Sequence, residues 1–402
     1  MRELGLDALV LAQPETLTYA TGAFPGVAAF WRRAGAAFLV VPGDPQAPLT
    51  AIVGDLQADS FRNQSGIADV HSHRIWVETG NFDPALGDGD AAATLVRHDL
   101  ATGKQARHPR PAQYDLQASL GLLRDCLREN GLTSGTVGLE LGFIAARDLA
   151  LFQEMMPRLR WADASNLVER LRAIKHPGEI GKLRTAAELA QCGVAALLAA
   201  IRPAMDAAAM TAIWRDAAMA EAARRKHAAS SWAYIAVAGD GFASGGPAQT
   251  GDIIKIDVGC IINGYSSDSG RTAVLGNPSP AAVQVFEALH RAFDAGLALL
   301  QTGVPLQRAY HAVAASMWDH GYETYGRGHF GHGVGASIWS EEWPFISADA
   351  TALAEPGMVL AFETPYYIKG LGGFIIEDQI LVTETGIEVM APSPRGLLRI
   401  SP

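Results

Sequence analysis

The chain has 402 residues, 49% of them hydrophobic and 18% charged, a balance typical of a globular enzyme and a length that calls for two domains rather than one ordinary core. A formal net charge of −10 gives no general attraction for nucleic acid or an anionic membrane, so neither is expected as a partner. No apolar run approaches the ~18 residues of a membrane span. The start MRELGLDALVL has no signal-peptide layout, and Cys126, Cys192 and Cys260 show no CxxC spacing, which together point to reduced thiols in a cytoplasm.

In chain order, strand-like runs (DALVLA, AAFLVV, LTAIV, TVGLEL) alternate with helical ones such as AQYDLQASLGLLRDCLREN over the first 160 residues, the pattern of an α/β sheet domain. The loop GAFPGVAAFWRRAG (22–35) concentrates aromatic and arginine residues and suits a substrate lid or a dimer contact. Residues 83–113, loop-rich and of mixed charge, read as a surface excursion. A boundary falls at 160–175, before the breaker Lys175-His176-Pro177-Gly178. Helical patterns follow at 179–201, 206–225, 280–301 and 306–320.

The most informative residues lie in the last 150. DIIKIDVG alternates as a strand, with Ile254, Ile256 and Val258 on one face and Lys255 and Asp257 on the other. Asn263-Gly264 marks a two-residue hairpin loop, which pairs residues whose numbers sum to 527 and sets Asp257 opposite Gly270. Asp268 is then a same-face diagonal neighbour of Asp257, at roughly 7–8 Å between backbones. Glu363 and Glu377 sit in two more strand-like runs, GMVLAFE and FIIEDQILVT, with apolar residues before the acid in each, and His332 lies in GHGVG. A carboxylate among apolar residues is costly unless protonated, paired or coordinated. Four carboxylates and one imidazole form an oxygen-rich set suited to Mn²⁺, Co²⁺, Fe²⁺ or Zn²⁺, and better to two ions than to one.

These residues resemble the creatinase/prolidase/aminopeptidase P branch of the pita-bread metallopeptidases. The steps between the five residues are 11, 64, 31 and 14, and the signature Tyr-x-x-Asp-x-x-Arg-Thr stands as Tyr265, Asp268, Arg271 and Thr272. LRAIKHPGEIGKLRTAAELA is similar to the family's hinge, and GLDALVLAQPETLTYATGAFPG to the opening of its N-terminal domain. The resemblance implies an α/β creatinase-like domain over 1–160 and an α+β pita-bread catalytic domain over 161–402, two divalent ions on Asp257, Asp268, His332, Glu363 and Glu377, a dipeptide or other small substrate, and a homodimer. Glu363 would act as proton carrier.

Departures from the family pattern bear on the reaction. Seventeen residues before Asp257, where the family carries a histidine, stands Asp240; seven after His332 stands Trp339, or Glu341 if two residues are inserted. The family's Thr after the second Asp is Gly270. His329, three residues before His332, would lie on the opposite strand face, in a supporting or core role, yet it and Glu341 remain candidates to replace a missing imidazole. Trp339 and Trp343 could wall a pocket, and Arg395 matches an arginine near the family's C-terminus. The leading expectation is a binuclear metal-dependent hydrolase cleaving a C–N bond in a small substrate. A lyase or amidohydrolase of a small osmolyte-like or cyclic metabolite, and a non-catalytic binding protein, are the alternatives.

Overall fold

The computed structural model describes residues 1–80, 89–101, 109–337 and 341–402, and the chain divides into two compact units, Met1–Val168 and Glu169–Pro402. The first is built on a six-stranded mixed sheet in the order Asp69–His73, Thr50–Gly54, Phe38–Pro42, Ala8–Leu11, Gly135–Leu139, Leu159–Asp163. Strand alternation explains its two cores. Ala8, Val10, Phe38, Val40 and Ile52 pack with Leu120, Leu123 and Phe152 on one face, while Leu9, Leu11, Leu39, Ala51 and Val53 pack with Leu17 and Phe61 on the other. Asp115 caps the helix Leu116–Glu129 by accepting from Gln117 N and Ala118 N. Within the expected 83–113 loop, Ala91–Ala101 is instead a helix with no buried residue; a run of helix formers (AAATLV) suffices there without core contact. Residues 83–88 and 102–108 lie outside the described set.

The second unit carries the candidate site. Its large sheet runs Tyr265–Ser266, Ile253–Ile262, Ser269–Leu275, Glu377–Thr383, Val359–Glu363, His329–Gly333, Glu342–Ser347. The hairpin pairs as expected, with Gly270 opposite Asp257 and Tyr265 opposite Ile262, through Asn263 (φ 50°) and Gly264 (φ 82°). Two helix pairs cover one face. Pro177–Ala200 and Ala207–Arg224 bury Ile254, Ile256, Val258, Cys260 and Ile262; Pro280–Leu297 and Leu306–Asp319 bury Phe330, Leu360, Phe362, Ile380 and Val382. Period-2 alternation therefore turns Asp257, Glu363 and Glu377 to the other face.

Against the expectation that no segment suits a membrane span, Pro177–Ala200 is long and apolar enough by length and composition to cross one. Its small residues serve close packing instead. Gly193 lets Trp214 lie against the helix backbone, and the Trp214 indole donates to Ala190 O at 3.1 Å. A Cβ at Gly193 would sit 2.7 Å from the Trp214 ring and carbonyl oxygen. Gly193→Ala is expected to lower stability by about 1–3 kcal/mol through overpacking, read as a lower urea midpoint at unchanged slope.

Candidate metal centre

Register builds the site. Asp257, Gly270, Glu377 and Glu363 occupy one rung across four adjacent strands: Gly270 pairs with Asp257 on one side and with Glu377 on the other, and Glu377 pairs with Glu363. Gly270 is the spacer, because a Cβ there would meet Ile375 at 2.6 Å and Glu377 Oε2 at 2.9 Å. His332 enters from the next strand, opposite Ala361. One ligand atom from each of Asp268, His332 and Glu377 falls within 4.8 Å of the others, and His332 Nε2 is 3.5 Å from Asp268 Oδ2. Asp257 and Glu363 flank this group. Each also has a protein cation beside it: Lys255 Nζ is 3.2 Å from Asp257 Oδ2, and an Arg327 guanidinium N–H donates to Glu363 Oε1 at 3.0 Å.

Burial and mutual repulsion dominate the electrostatics. Glu377 is held well above the usual carboxylate range by burial and then by the charges of Asp268, Glu363 and Asp257. Burial pushes Glu363 up to about 7 against the pull of Arg327, and raises Asp257 despite Lys255. The His332 imidazole is pushed down by burial, which favours the neutral form that a metal accepts. Its Nδ1 lies 3.0 Å from Gly333 O, a partner that leaves Nε2 to face Asp268. Hard oxygens and one neutral nitrogen at coordination spacing make a donor set that fits a divalent cation.

The Arg-Thr of the signature stitches the strands on either side of the rung. Arg271, fully buried, donates to Glu377 O at 2.5 Å, Gly270 O at 2.7 Å and Asp378 Oδ1 at 2.7 Å, and Arg395 donates to Asp378 Oδ2 at 2.5 Å. Thr272 Oγ1 donates to Ile375 O and accepts from Ile375 N. Gln379, which carries no signature in sequence, accepts from Asp268 N at 3.2 Å. Tyr265 donates to Glu179 at 3.0 Å.

His329 departs from the expectation. It does not turn away from the site: a bulge between His329 and His332 in the pairing with Glu342–Ser347, and Gly331 at φ 144°, break the alternation. The two imidazole rings are 5.9 Å apart, and His329 lies 3.8 Å from Glu363 and 4.0 Å from the exposed Glu341. Asp240 is an exposed loop residue whose carboxylate accepts from Phe242 N and Ala243 N. Trp343 packs on the hydrophobic core, and Trp339 lies outside the described residues. In the first unit, Trp31 stacks on Tyr114, Arg32 pairs with Glu15 and Arg33 with Asp148, while Phe24 and Phe30 are exposed. Arg327 and Lys255 had no signal beyond charge inside glycine-rich or apolar runs.

The model of metallopeptidase family M24 matches residues 181–384, and that of the creatinase/prolidase N-terminal domain matches 1–174. The chain belongs to metallopeptidase family M24. It is 28% identical to an uncharacterized peptidase, YqhT, of Bacillus subtilis (strain 168), over 98% of this chain and 96% of that one. It is 30% identical to the Xaa-Pro dipeptidase of Pyrococcus furiosus, over 65% of this chain and 75% of that one. In fold it is similar to an Xaa-Pro dipeptidase from Bacillus anthracis (TM-score 0.75, 22% identity, covering 99% and 96%) and to the prolidase from Pyrococcus horikoshii OT3 (TM-score 0.75, 20% identity, covering 99% and 97%). The creatinase-like domain, the pita-bread catalytic domain and the class of metal-dependent hydrolase follow from this membership.

In this M24 chain the end of the GHG strand pairs with Glu342, whose carboxylate is shared by Arg172 and by Lys175 Nζ at 3.0 Å. Burial raises the Glu342 carboxyl, but Lys175 and Arg172 more than offset it and hold it below its ordinary range. The stabilisation is therefore present above the unfolded-state value of roughly 4.3 and lost as pH falls through the folded one. Glu342→Gln is expected to cost about 3–5 kcal/mol near neutrality, as for other broken buried pairs. In denaturant titrations its deficit relative to the parent protein should shrink as pH drops below 4.

Proposed function

We propose that this protein is a hydrolase of a C–N bond in a small substrate, resembling Xaa-Pro peptidases, with Asp268, His332 and Glu377 as the core ligands of its metal and Asp257 and Glu363 completing the five-residue set. The observation that carries this is the convergence of Asp268, His332 and Glu377 in one buried group on the carboxylate rung. Held by these residues, a divalent cation would supply a water of lowered pKa and Lewis-acid polarisation of a carbonyl. The five-residue set can accommodate two such ions.

The chain's own residues supply the rest. Glu363 sits at the edge of the rung beside His329 and Arg327, where it can take the attacking water's proton and hand it to the leaving nitrogen. Oxygen bonds to the carbonyl carbon, the C–N bond breaks, and a carboxylic acid and an amine result. His329, with its imidazole pushed down mainly by burial, is a neutral group near the reacting centre. Glu341, exposed and 4.0 Å from His329, faces the same mouth and suits a contact with a substrate amine. An ionised carboxylate at that place accepts hydrogen bonds but donates none, so ordinary Xaa-Pro dipeptides are expected to turn over weakly.

Asp268→Ala and Glu377→Ala should each lose bound metal by elemental analysis and lose turnover together, with circular dichroism unchanged. Glu341→His should raise Xaa-Pro turnover, and Trp339→His offers the same test at the other alignment. Near-normal hydrolysis by Asp268→Ala in metal-depleted buffer would place the chemistry elsewhere.

A further inference from the structure

Hydrolysis by an attacking water concentrates negative charge on the former carbonyl oxygen, so a site that performs it needs a pre-positioned donor there. We infer that Arg327 is that donor. The inference rests on the hydrolase reading above and adds a catalytic residue to it.

Arg327 is held from three sides. Its carbonyl accepts from Tyr310 OH at 2.6 Å, its Nε donates to His329 O at 3.1 Å, and a terminal N–H donates to Glu363 Oε1 at 3.0 Å. These contacts fix the guanidinium plane against the proton-carrying carboxylate. Among the described residues no other acceptor takes its remaining N–H groups. The side chain is 23% exposed, so this edge is open to a bound molecule. Because Glu363 stands opposite Glu377 at the end of the rung, the contact with it places the guanidinium at that end of the carboxylate row. The other cation of the site, Lys255, is 1% exposed, engaged by Asp257 and covered by the rings of Tyr367 and Phe242; it cannot reach a substrate.

Neutral His329 is a competing donor, but among the described residues only Arg327 offers a permanently charged, planar fork of donors beside Glu363. During attack the carbonyl π pair moves onto oxygen, and Arg327 stabilises that oxygen by hydrogen bonding without giving up its proton. The proton that reaches the leaving nitrogen still comes from water by way of Glu363. Binding of the uncharged carbonyl changes little, because the interaction strengthens only as charge develops.

The test compares the manganese-loaded parent protein with Arg327→Met, Arg327→Lys and Arg327→Ala, using Ala-Pro as substrate and a phosphinic analogue of Ala-Pro as a tetrahedral, anionic mimic. Arg327→Met should lower kcat about 10²–10³-fold with KM within a few-fold. It should keep its metal content and weaken analogue binding by calorimetry by a similar factor. Arg327→Lys should recover part of the loss, and millimolar methylguanidine should partly rescue Arg327→Ala. A raised KM with kcat preserved would make Arg327 a ground-state anchor and overturn the inference, as would lost metal or an unchanged affinity for the analogue. A parent protein that binds metal but hydrolyses no member of an Xaa-Pro panel would instead remove the Xaa-Pro-peptidase-like reading on which this inference rests, and this inference with it.

Discussion

Three carboxylates on one rung of a sheet, with a fourth and an imidazole closing over them, repel one another in a place where water cannot screen them. Most of the catalytic unit can be understood as the structure that makes this arrangement tolerable. Two helix pairs bury the apolar face of the strands, and that burial supplies the hydrophobic stabilisation against which the repulsion is set. Arg271 and Asp378 pin the backbone of the Glu377 strand, so the carboxylates cannot relax apart by strand slippage. Lys255 and Arg327 neutralise the two ends of the row. Between those ends Asp268, His332 and Glu377 crowd together in a buried group, a place suited to a divalent cation.

Much of this was legible before any coordinates. The hairpin register followed from Asn263-Gly264, because a two-residue loop with both residues at positive φ admits one pairing, and the alternation in DIIKIDVG told which face Asp257 takes. The four long helices of the catalytic unit were read from their periodicity close to their observed ends. The opposite-face reading of His329 fails for a local reason: strand alternation holds only while the ladder is regular, and Gly331 and the bulge interrupt it between His329 and His332. Arg327 and Gln379 are illegible in sequence because their meaning lies in a partner far along the chain; Arg327 is 36 residues from Glu363 and Gln379 is 111 from Asp268.

The departures from the family pattern acquire a physical reading. Gly270, in place of the family's threonine, is forced by contact with Ile375 and Glu377 and keeps the rung compact. Asp240, where a histidine was expected, shapes its own loop instead of facing substrate. The polar groups beside Glu363 are instead Arg327 and His329. The same fold thus keeps its carboxylate row while moving its hydrogen-bond donors, which is how one scaffold serves different small substrates.

The most direct measurement of the central claim is anomalous diffraction at the manganese edge from crystals grown with Mn²⁺. The account predicts a peak about 2.0–2.3 Å from His332 Nε2 and from carboxylate oxygens of Asp268 and Glu377. A strong peak elsewhere, or none while those three side chains are ordered and metal is bound in solution, would contradict it.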